Sequence, residues 1–522
     1  MRAVASVRLS PRGRDTVASV LRGNAARHPD RPFLLFEREP GCVEKTAWAQ
    51  MAARADRTAG ALHRLGVVPG DRVNVHLSNC PEFYDLWFGT ALLGAAIVPS
   101  NPLSTADELG HLLSHAHCRL SVTEPGLLAT AQHAAAGGLP VISSDEDWVR
   151  DDDCAPPVTG PEPADVLGVL YTSGTTSRPK GVLITHAAYL HVGDVVAGHL
   201  RLRPDDRQLV VLPLFHGNAQ YYSSMSAFVT GASIALSPRF TASRWAEQAR
   251  VMDATVASLF AAPIRMILAQ APAEHDAAGR LRVVMFAQNI TESQLADFER
   301  RFGVPLIQLY GMTETVVPPT MNPLYGERRG MSIGRPVPTA RLRIADQRGR
   351  DIAAGEPGEL LVHGEPGATL MTGYLNDPDA TADALRDGWL HTGDTVRADG
   401  DGYLYFVDRR KDLIKRAGEN VASTEVERVL NDHPAVFESA VIGIPDPMRD
   451  EAIHAVVVLR EGAVLTADEL IGHCRERLAK FKVPDSVEFT GALPRTSVGK
   501  IQKHLLRRPV AADPTREGDA RR

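Results

Sequence analysis

The chain has little cysteine for its length. Five cysteines are spread over 522 residues, and none stands in the CxxC spacing of zinc or redox sites. Their odd number and wide scatter exclude the disulfide framework of small secreted domains. Arginines also interrupt residues 1–20, so we expect no signal peptide there. We therefore expect a reducing compartment and a cytoplasmic location.

Long apolar runs and a large charge of one sign are also missing. The longest apolar stretch, LWFGTALLGAAIVPS at 86–100, is shorter than the roughly 18–20 residues that a membrane span needs. It predicts a buried helix that leads into a strand, and no membrane span. The net charge is only -6, which gives no electrostatic indication of a nucleic-acid or anionic-lipid partner.

The length and patterning of the chain indicate more than one domain. A chain of 522 residues is too long for a single hydrophobic core. A helical pattern at 49–66 opens an alternation of helices and strands that continues past residue 300 and predicts α/β layers. Residues 340–364 predict strands joined by turns. The highly charged segment 407–421 predicts a linker to a small separate domain.

The segment YTSGTTSRPKG, residues 171–181, follows a predicted buried strand at 166–172. A glycine there allows the backbone to approach an anion closely, and hydroxyls and a lysine add donors and charge. The residues concerned are Thr172, Ser173, Gly174, Thr175, Thr176 and Lys180. This is not a Walker loop, because Pro179 precedes the lysine. The segment by itself predicts either a phosphate-binding loop or a mobile polar turn.

Four more motifs follow this loop in order. They are YGMTET at 310–315, GWLHTGD at 388–394, GYLYFVDRRKDLIKRAGENVAS at 402–423, and LPRTSVGKI, which contains Lys500. With the hydroxyl-rich loop, they resemble the adenylate-forming superfamily, which includes acyl-CoA synthetases, adenylation domains and beetle luciferases. The resemblance extends over residues 20–505, and the motifs look most like the crotonobetaine/carnitine-CoA ligase branch.

The resemblance implies an α/β fold class with two domains. A large N-terminal domain at 1–410 would contain αβαβα sheets and a small β-barrel-like subdomain, and a small mobile α+β domain would occupy 411–522. The implied activity is that of an AMP-forming, ATP-dependent acyl-CoA synthetase, an acid–thiol ligase. A carboxylic acid and ATP would give acyl-AMP and pyrophosphate, and CoA would then accept the acyl group. Mg²⁺ is the implied metal, and a homodimer stays open.

The resemblance also implies roles for residues at the nucleotide. The loop 172–180 would hold the β- and γ-phosphates, Thr313 would bind the α-phosphate, and Glu314 would ligate Mg²⁺, which prefers carboxylate and phosphate oxygens. Tyr310 would stack on adenine, and Asp394 and Arg409 would contact the ribose. The other expected nucleotide contacts are Gln288, Gly311, Met312 and Tyr405. In the plainer interpretation, Glu314 is a surface carboxylate and Asp394 a turn residue.

Lys500 would be the catalytic lysine. Its ammonium would lie between the substrate carboxylate and the α-phosphate and offset the repulsion of two anions. The plainer interpretation makes it one more basic residue beside Lys503 and Arg507. Lys411 matches the position at which these enzymes pivot the small domain between half-reactions.

The resemblance to the adenylate-forming superfamily also predicts a CoA site and an acyl pocket. Expected CoA contacts are Gly418, Arg449, Phe481 and Lys482, although basic residues on a small domain are usually only solvated. The expected acyl pocket contains His216, Gly217, Phe260, Ala287 and Met312. His216 either gates this pocket or packs in the core.

Two departures from the family pattern affect these sites. Ser177 stands where glycine is common, and Ala287, Gln288 and Asn289 replace a Gly-Gly-small run beside the adenine and the acyl chain. Small residues such as Gly217 favour a medium to bulky acid over carnitine. A trimethylammonium group would need an aromatic cage, for which only Tyr221 and Tyr222 stand nearby in sequence.

Two other functions stay open on the sequence. The first is a stand-alone adenylation enzyme that loads a separate carrier protein, since this chain contains no DSL-type serine motif. The second is a nucleotide-binding regulator without catalysis, against which the presence of Lys500, Glu314 and Asp394 argues. A pyrophosphate-release assay separates enzyme from regulator, and adding CoA or a carrier protein separates the two enzymes.

Overall fold

The structure is a computed structural model of the chain. It describes residues 13–154, 156, 160–172, 179–409, 412–416, 419–446, 448–496 and 501–507. The chain forms two compact units. The larger contains most residues up to Phe406. The smaller consists mainly of the chain from Val407 onward and also takes in residues 393–395. The predicted domain boundary lies between residues 410 and 411, which are outside the described residues.

Helices and strands alternate along much of the described chain. The α-helices are α1 (Val17–Arg27), α2 (Trp48–Arg64), α3 (Pro81–Leu93), α4 (Ala106–His115), α5 (Leu128–Ala134), α6 (His186–Leu200), α7 (Met225–Thr230), α8 (Trp245–Val251), α9 (Ala261–Leu268), α10 (Glu292–Phe302), α11 (Pro378–Ala384), α12 (Ser423–Asn431), α13 (Ala467–Arg475) and α14 (Lys503–Leu506). Short 3₁₀ turns occupy Pro125–Leu127 and Lys480–Lys482, and a π-helix occupies Asn218–Ser224.

The strands form four sheets. They are β1 (Pro32–Glu39), β2 (Cys42–Ala47), β3 (Arg72–His76), β4 (Ala96–Pro99), β5 (Leu120–Thr123), β6 (Val141–Ser143), β7 (Val166–Thr172), β8 (Lys180–Thr185), β9 (Arg207–Val210), β10 (Ser233–Leu236), β11 (Val256–Phe260), β12 (Val283–Ala287), β13 (Leu306–Tyr310), β14 (Thr320–Met321), β15 (Arg335–Pro336), β16 (Arg341–Ala345), β17 (Gly358–His363), β18 (Leu385–Arg386), β19 (Trp389–Ala398), β20 (Leu404–Arg409), β21 (Ile414–Arg416), β22 (Glu419–Val421), β23 (Val436–Asp446), β24 (Asp450–Leu459) and β25 (Ser486–Phe489).

The first sheet has nine strands in the order β15-β14-β13-β12-β11-β9-β10-β1-β2. The strands from β13 to β1 are parallel, and β2, β14 and β15 are antiparallel to their neighbours. Parallel strands end at the same edge of a sheet, where ligands of open α/β folds bind. Three expected site residues, Phe260, Ala287 and Tyr310, are the last residues of β11, β12 and β13.

The second sheet has six strands in the order β6-β5-β3-β4-β7-β8. Strands β3 to β7 are parallel to their neighbours, whereas β8 is antiparallel to β7. Strands β3, β4 and β5 are almost wholly buried, as expected for a sheet covered on both faces. A third sheet has the order β16-β17-β19-β18, with β20 beside β19.

Helices α2 and α3 show how local sequence sets these elements. The helix predicted at 49–66 is α2, and Gly66, with φ +85°, follows it. The apolar stretch at 86–100 forms the end of α3 and then β4, as predicted. Gly94 ends α3 in the left-handed conformation, which glycine adopts without steric cost. In the described part of the chain, every helix is too short or too polar to cross a bilayer.

The smaller unit has its own sheet and core. Its strand order is β22-β21-β24-β23, and β25 lies parallel to β24. Strands β23 and β24 form a long hairpin whose inward residues, including Val441 and Ile453, pack with Val426 and Leu430 of α12. A large layered α/β unit with a smaller α+β unit confirms the predicted fold class.

Candidate active site

The two described ends of the hydroxyl-rich loop are paired. Thr172 ends β7, Lys180 begins β8, and the two residues are antiparallel partners. Residues 173–178, which include Ser173, Gly174, Thr175, Thr176 and Ser177, lie outside the described residues. The loop 173–179 therefore begins and ends on two strands that hydrogen-bond to each other.

Tyr310 lies at the carboxyl end of β13 and is almost fully buried. Its ring stacks on Phe406 with 6.5 Å between centroids and 30° between planes. The next residue, Gly311, passes so close to Tyr222 that any added side-chain carbon would overlap the Tyr222 hydroxyl. An aromatic wall and a side-chain-free backbone therefore adjoin at the end of this strand, as a base-binding site needs.

The residues after Gly311 form a strained turn. The Thr315 hydroxyl accepts from the Met312 amide and donates to the Met312 carbonyl, both at 3.0 Å. Val316 donates its amide to the carbonyl of Thr313 at 3.3 Å and has φ +55°, although it is β-branched and fully buried. Such a conformation is rare and is typically kept where the surroundings impose it, often at functional sites. The turn holds Thr313 and Glu314 in one arrangement.

Glu314 and Lys180 both contact one tyrosine, Tyr374. The Glu314 carboxylate is buried and accepts a hydrogen bond from the Tyr374 hydroxyl at 3.0 Å. The Lys180 ammonium lies 4.7 Å from the centroid of the Tyr374 ring. Burial and then the nearby Glu314 carboxylate raise the pKa of Tyr374, so its hydroxyl stays a proton donor. Glu314 is thus a buried, oriented carboxylate and not a surface side chain.

Sequence reasoning missed Tyr374. Its neighbours pair with β8: Leu183 donates to the carbonyl of Gly373 at 3.0 Å, and Leu375 donates to that of Gly181 at 2.7 Å. Met371 donates to the backbone carbonyl of Glu314, also at 3.0 Å. This segment therefore joins the hydroxyl-rich loop to the 310–315 turn. The only sequence signal was the Gly-Tyr pair in MTGYLND, which indicates a turn but names no partner.

The donor set fits Mg²⁺ held mainly by a nucleotide. Within the described residues, no group of three or more His, Cys, Asp or Glu could enclose a metal ion. Mg²⁺ commonly takes one or two carboxylates and completes its shell with phosphate oxygens and water. One oxygen of Glu314 accepts a hydrogen bond from Tyr374. This buried, oriented carboxylate suits the role of the one protein carboxylate that contacts Mg²⁺.

The expected acyl pocket adjoins a π-helix. All seven residues of Asn218–Ser224 are buried, and π-helices are frequent at functional sites. The His216 ring lies against Phe215, tilted by 43° with 4.3 Å between centroids, and a carbon added to Gly217 would lie 2.8 Å from the Tyr221 ring. The space that Gly217 leaves is therefore filled by Tyr221. That finding removes this glycine as an argument for a bulky acid.

Phe260 and Ala287 are register partners at the ends of β11 and β12. Nearby, the Ser258 hydroxyl donates to the side-chain oxygen of Asn218 at 2.8 Å. The amide nitrogen of Asn218 is buried, and it has no hydrogen-bond partner among the described residues. A buried donor of this kind costs about 1–3 kcal/mol when it is unpaired, so a ligand acceptor would stabilise it.

Gln288, one of the departures from the family pattern, has an unusual backbone. Its φ is +75°, a conformation that favours glycine. Its carbonyl accepts from the Gln308 side chain at 3.0 Å, and the neighbouring Asn289 carbonyl accepts from Arg265 at 2.7 Å. The backbone thus keeps a glycine-like path while carrying a long polar side chain.

The expected ribose contacts are paired in the smaller unit. Arg409 lies 3.3 Å from Asp394, and Asp394 is almost fully buried. Such a pair fits a defined site better than an exposed turn. In the larger unit, the Tyr405 hydroxyl donates to Asp399 at 3.1 Å, and Arg397 lies over its ring. Contact of Tyr405 with a nucleotide stays a prediction.

The expected CoA contacts are mostly engaged in ion pairs. Lys482 bonds both carboxylate oxygens of Glu425 at 2.8 Å, and Arg449 bonds Asp485 at 2.9 Å. Phe481 is 40% exposed, and the Lys482 ammonium lies 5.5 Å from the centroid of its ring. Lys411, Gly418 and Lys500 lie outside the described residues. These assignments stay predictions.

A buried ion-pair network contains Lys503, which follows Lys500 by three positions in the sequence. Lys503 donates to the Ser423 hydroxyl at 2.6 Å and pairs with Glu427 at 2.7 Å, while Asp408 accepts from the amide and hydroxyl of Ser423. Burial alone would lower the pKa of Lys503, but Glu427 and Asp408 raise it. The sequence suggested only a basic tail here. The network instead anchors α14 to Asp408, which lies in the predicted linker, and to Ser423 and Glu427 of α12.

The chain is similar to known enzymes over most of its length. A model of AMP-binding enzymes matches residues 21–375, and a model of the AMP-binding enzyme C-terminal domain matches residues 425–500. The chain is 39% identical over 503 residues to a crotonobetaine/carnitine–CoA ligase of Salmonella heidelberg (strain SL476), covering 92% of this chain and 97% of the relative.

Solved structures give the same result. ATP-bound MatB from Rhodopseudomonas palustris is 28% identical, with a TM-score of 0.85 and coverage of 94% of this chain and 98% of the other. The anthranilate CoA ligase AuaEII, in complex with anthranoyl-AMP, is 26% identical, with a TM-score of 0.86 and coverage of 95% and 97%. The expected acyl-CoA synthetase class is confirmed, and the chain belongs to the AMP-binding enzyme family.

Proposed function

We propose that this protein activates a compact, polar carboxylic acid with ATP and transfers the acyl group to CoA. The observation that carries the proposal is the cluster in which Lys180 and Glu314 flank Tyr374, next to the hydroxyl-rich loop. A cation and a carboxylate so placed suit a triphosphate and its metal. The regulator alternative has no comparable support, since the relatives are named as ligases.

The larger unit would bind and orient ATP. Thr172 and Lys180, at the ends of the paired strands, would contact the β- and γ-phosphates. Thr313, in the strained turn, would reach the α-phosphate, and Tyr310 would stack on adenine. Glu314 would hold Mg²⁺, which when bound offsets negative charge on the phosphate oxygens.

The two half-reactions need different groups near the carboxylate carbon. In the first, an acid oxygen attacks the α-phosphorus and pyrophosphate leaves, while Lys500 would offset the charge of the two anions. In the second, the CoA sulfur attacks the acyl carbon and AMP leaves. We propose that Lys411 is the pivot that exchanges the segments presented by the smaller unit.

A proline at Lys411 is expected to separate the two half-reactions. Proline fixes φ near −65° and restricts the residue before it, so the linker loses rotational freedom. Pyrophosphate release should stay near the wild-type rate, while acyl-CoA formation should fall by about tenfold or more, since a conformational step then limits turnover. Both rates are measured on one enzyme preparation. Unchanged acyl-CoA output would contradict the pivot.

The acid is proposed to be compact and polar. Tyr221 fills the space beside Gly217, and the Asn218 amide presents a buried donor that lacks a partner among the described residues. A long aliphatic chain would leave that donor unpaired, whereas an acid with its own acceptor would satisfy it. Carnitine, one of the two acids named for the Salmonella relative, has a hydroxyl acceptor besides its carboxylate and is therefore the first candidate.

A substrate panel tests the acid class. Pyrophosphate release is measured with crotonobetaine, carnitine, malonate, benzoate and octanoate, each with and without CoA. We expect kcat/KM for a polar acid to exceed that for octanoate by about tenfold or more, since an unpaired buried donor penalises the apolar acid. A preference for benzoate or octanoate would refute the acid class. Pyrophosphate release without thioester formation would favour the carrier-loading alternative.

We place the reaction in the cytoplasm. The five cysteines, all described, are free of disulfide bonds, and Cys118 and Cys474 are buried. A reducing compartment preserves such thiols. ATP and CoA as substrates agree with this location.

A further inference from the structure

Tyr374 contacts two groups of opposite charge. Lys180 and Glu314 both contact it, one at the ring face and the other at the hydroxyl. Both residues are described, yet no ion pair joins them directly. A lysine and a buried carboxylate that contact the same side chain attract each other, because the protein interior screens charge less than water does.

Tyr374 is itself held firmly in place. Its backbone amide donates to the Thr381 hydroxyl at 2.9 Å, and the residues on either side hydrogen-bond to β8. Thr372, two residues before it, donates its amide to the Leu183 carbonyl at 2.9 Å, and Leu375, the next residue, donates to that of Gly181 at 2.7 Å. The ring therefore has a fixed position relative to the strand that begins at Lys180.

The hydroxyl contact also fixes the Glu314 carboxylate. One oxygen, Oε1, accepts a hydrogen bond from the Tyr374 hydroxyl, which restrains the orientation of the carboxylate and leaves Oε2 for another partner. Groups that orient a metal-binding carboxylate typically change metal affinity or activity 10–100-fold when they are removed. The ring face attracts the Lys180 ammonium without neutralising it.

We propose that Tyr374 is a positioning residue that keeps Lys180 and Glu314 apart and oriented, so that the lysine meets phosphate and the carboxylate meets metal. This inference rests on the proposed function and adds the residue that organises its ATP site. It explains why a neutral aromatic side chain contacts the lysine with its ring and the carboxylate with its hydroxyl. Phenylalanine would keep the spacer and lose the orientation, whereas leucine would lose both.

The test compares Tyr374→Phe and Tyr374→Leu with wild type. Binding is measured by calorimetry with ATP plus Mg²⁺ and with ATP plus a chelator, and KM and kcat for ATP are measured by pyrophosphate release. Tyr374→Phe should weaken the Mg²⁺-dependent part of ATP binding about 10-fold or more and leave binding in chelator nearly unchanged. Tyr374→Leu should weaken binding in both conditions, because Lys180 can then pair with Glu314.

Two controls separate positioning from general destabilisation. Tyr403→Phe also removes a buried tyrosine hydroxyl, one that donates to the Glu327 carbonyl away from this cluster, and should leave ATP binding unchanged. In a Glu314→Gln background, Tyr374→Phe should have little further effect on the Mg²⁺ dependence, because both changes act through one carboxylate. Thermal melting without ligands checks that each variant folds.

The outcomes are distinguishable. Equal Mg²⁺ dependence in wild type and Tyr374→Phe, or the same loss in the Glu314→Gln background, would overturn the positioning role and leave the proposed function intact. If wild type neither binds ATP with Mg²⁺ nor releases pyrophosphate with any acid of the panel, the proposed function itself fails.

Discussion

Replacing Lys500 with alanine is expected to lower pyrophosphate release by roughly 100-fold or more, the usual effect of removing one group that stabilises transition-state charge. The acid oxygen and the α-phosphate are both anionic as they approach, and the ammonium offsets their repulsion. Thioester formation from supplied acyl-AMP should proceed at nearly the wild-type rate, because the thiol attacks the acyl carbon and no anion has to approach the α-phosphorus in that step. The two steps are therefore measured separately.

The structure narrows the alternatives for Lys500. Two other basic residues are near Lys500 in sequence. Lys503 pairs with Glu427 and donates to Ser423, and Arg507 pairs with Asp412. A neighbouring cation is thus poorly placed to replace the lost ammonium. Lys45→Ala, which removes an exposed lysine from β2 in the larger unit, is the matched control and should keep full activity. An equal loss in both half-reactions after Lys500→Ala would contradict the assigned role.

Replacing Gly334 with alanine is expected to destabilise the larger unit by about 2–5 kcal/mol, the sum of left-handed strain and overpacking. Gly334 has φ +90°, and a methyl carbon there would overlap the Met321 carbonyl and the Asn322 amide. Its own carbonyl accepts from Leu404 at 2.8 Å, so the backbone has little freedom to withdraw. The same turn leads into β15, which pairs with β14.

Denaturant unfolding followed by tryptophan fluorescence tests this expectation. All five tryptophans lie in the larger unit, so the signal reports the unit that contains Gly334. Gly198→Ala is the matched control, because that glycine is inside α6 with open space around it. It should raise stability by about 0.5–1 kcal/mol, as alanine does in a helix interior. Unfolding of Gly334→Ala at the wild-type denaturant concentration would show that the backbone tolerates the methyl group.

Local sequence was sufficient wherever a short pattern encodes an element or a motif. The periodicity of 49–66 predicted α2, and the apolar run at 86–100 predicted the buried end of α3 and β4. The ordered motifs predicted the family and fold class, which the comparisons and the structure confirm. These features depend on residues a few positions apart, whose spacing is visible in the chain.

The tertiary structure decided which distant residues meet. Tyr374 bonds Glu314 across 60 positions, and Lys503 bonds Ser423 across 80, so no local pattern could reveal either contact. The packing of Tyr221 against Gly217 likewise depends on the π-helix, which only the folded chain shows. The sequence alone thus determined the family and the class of reaction. Only the pairing of strands and loops, through hydrogen bonds between remote segments, determined how its charged groups are held apart.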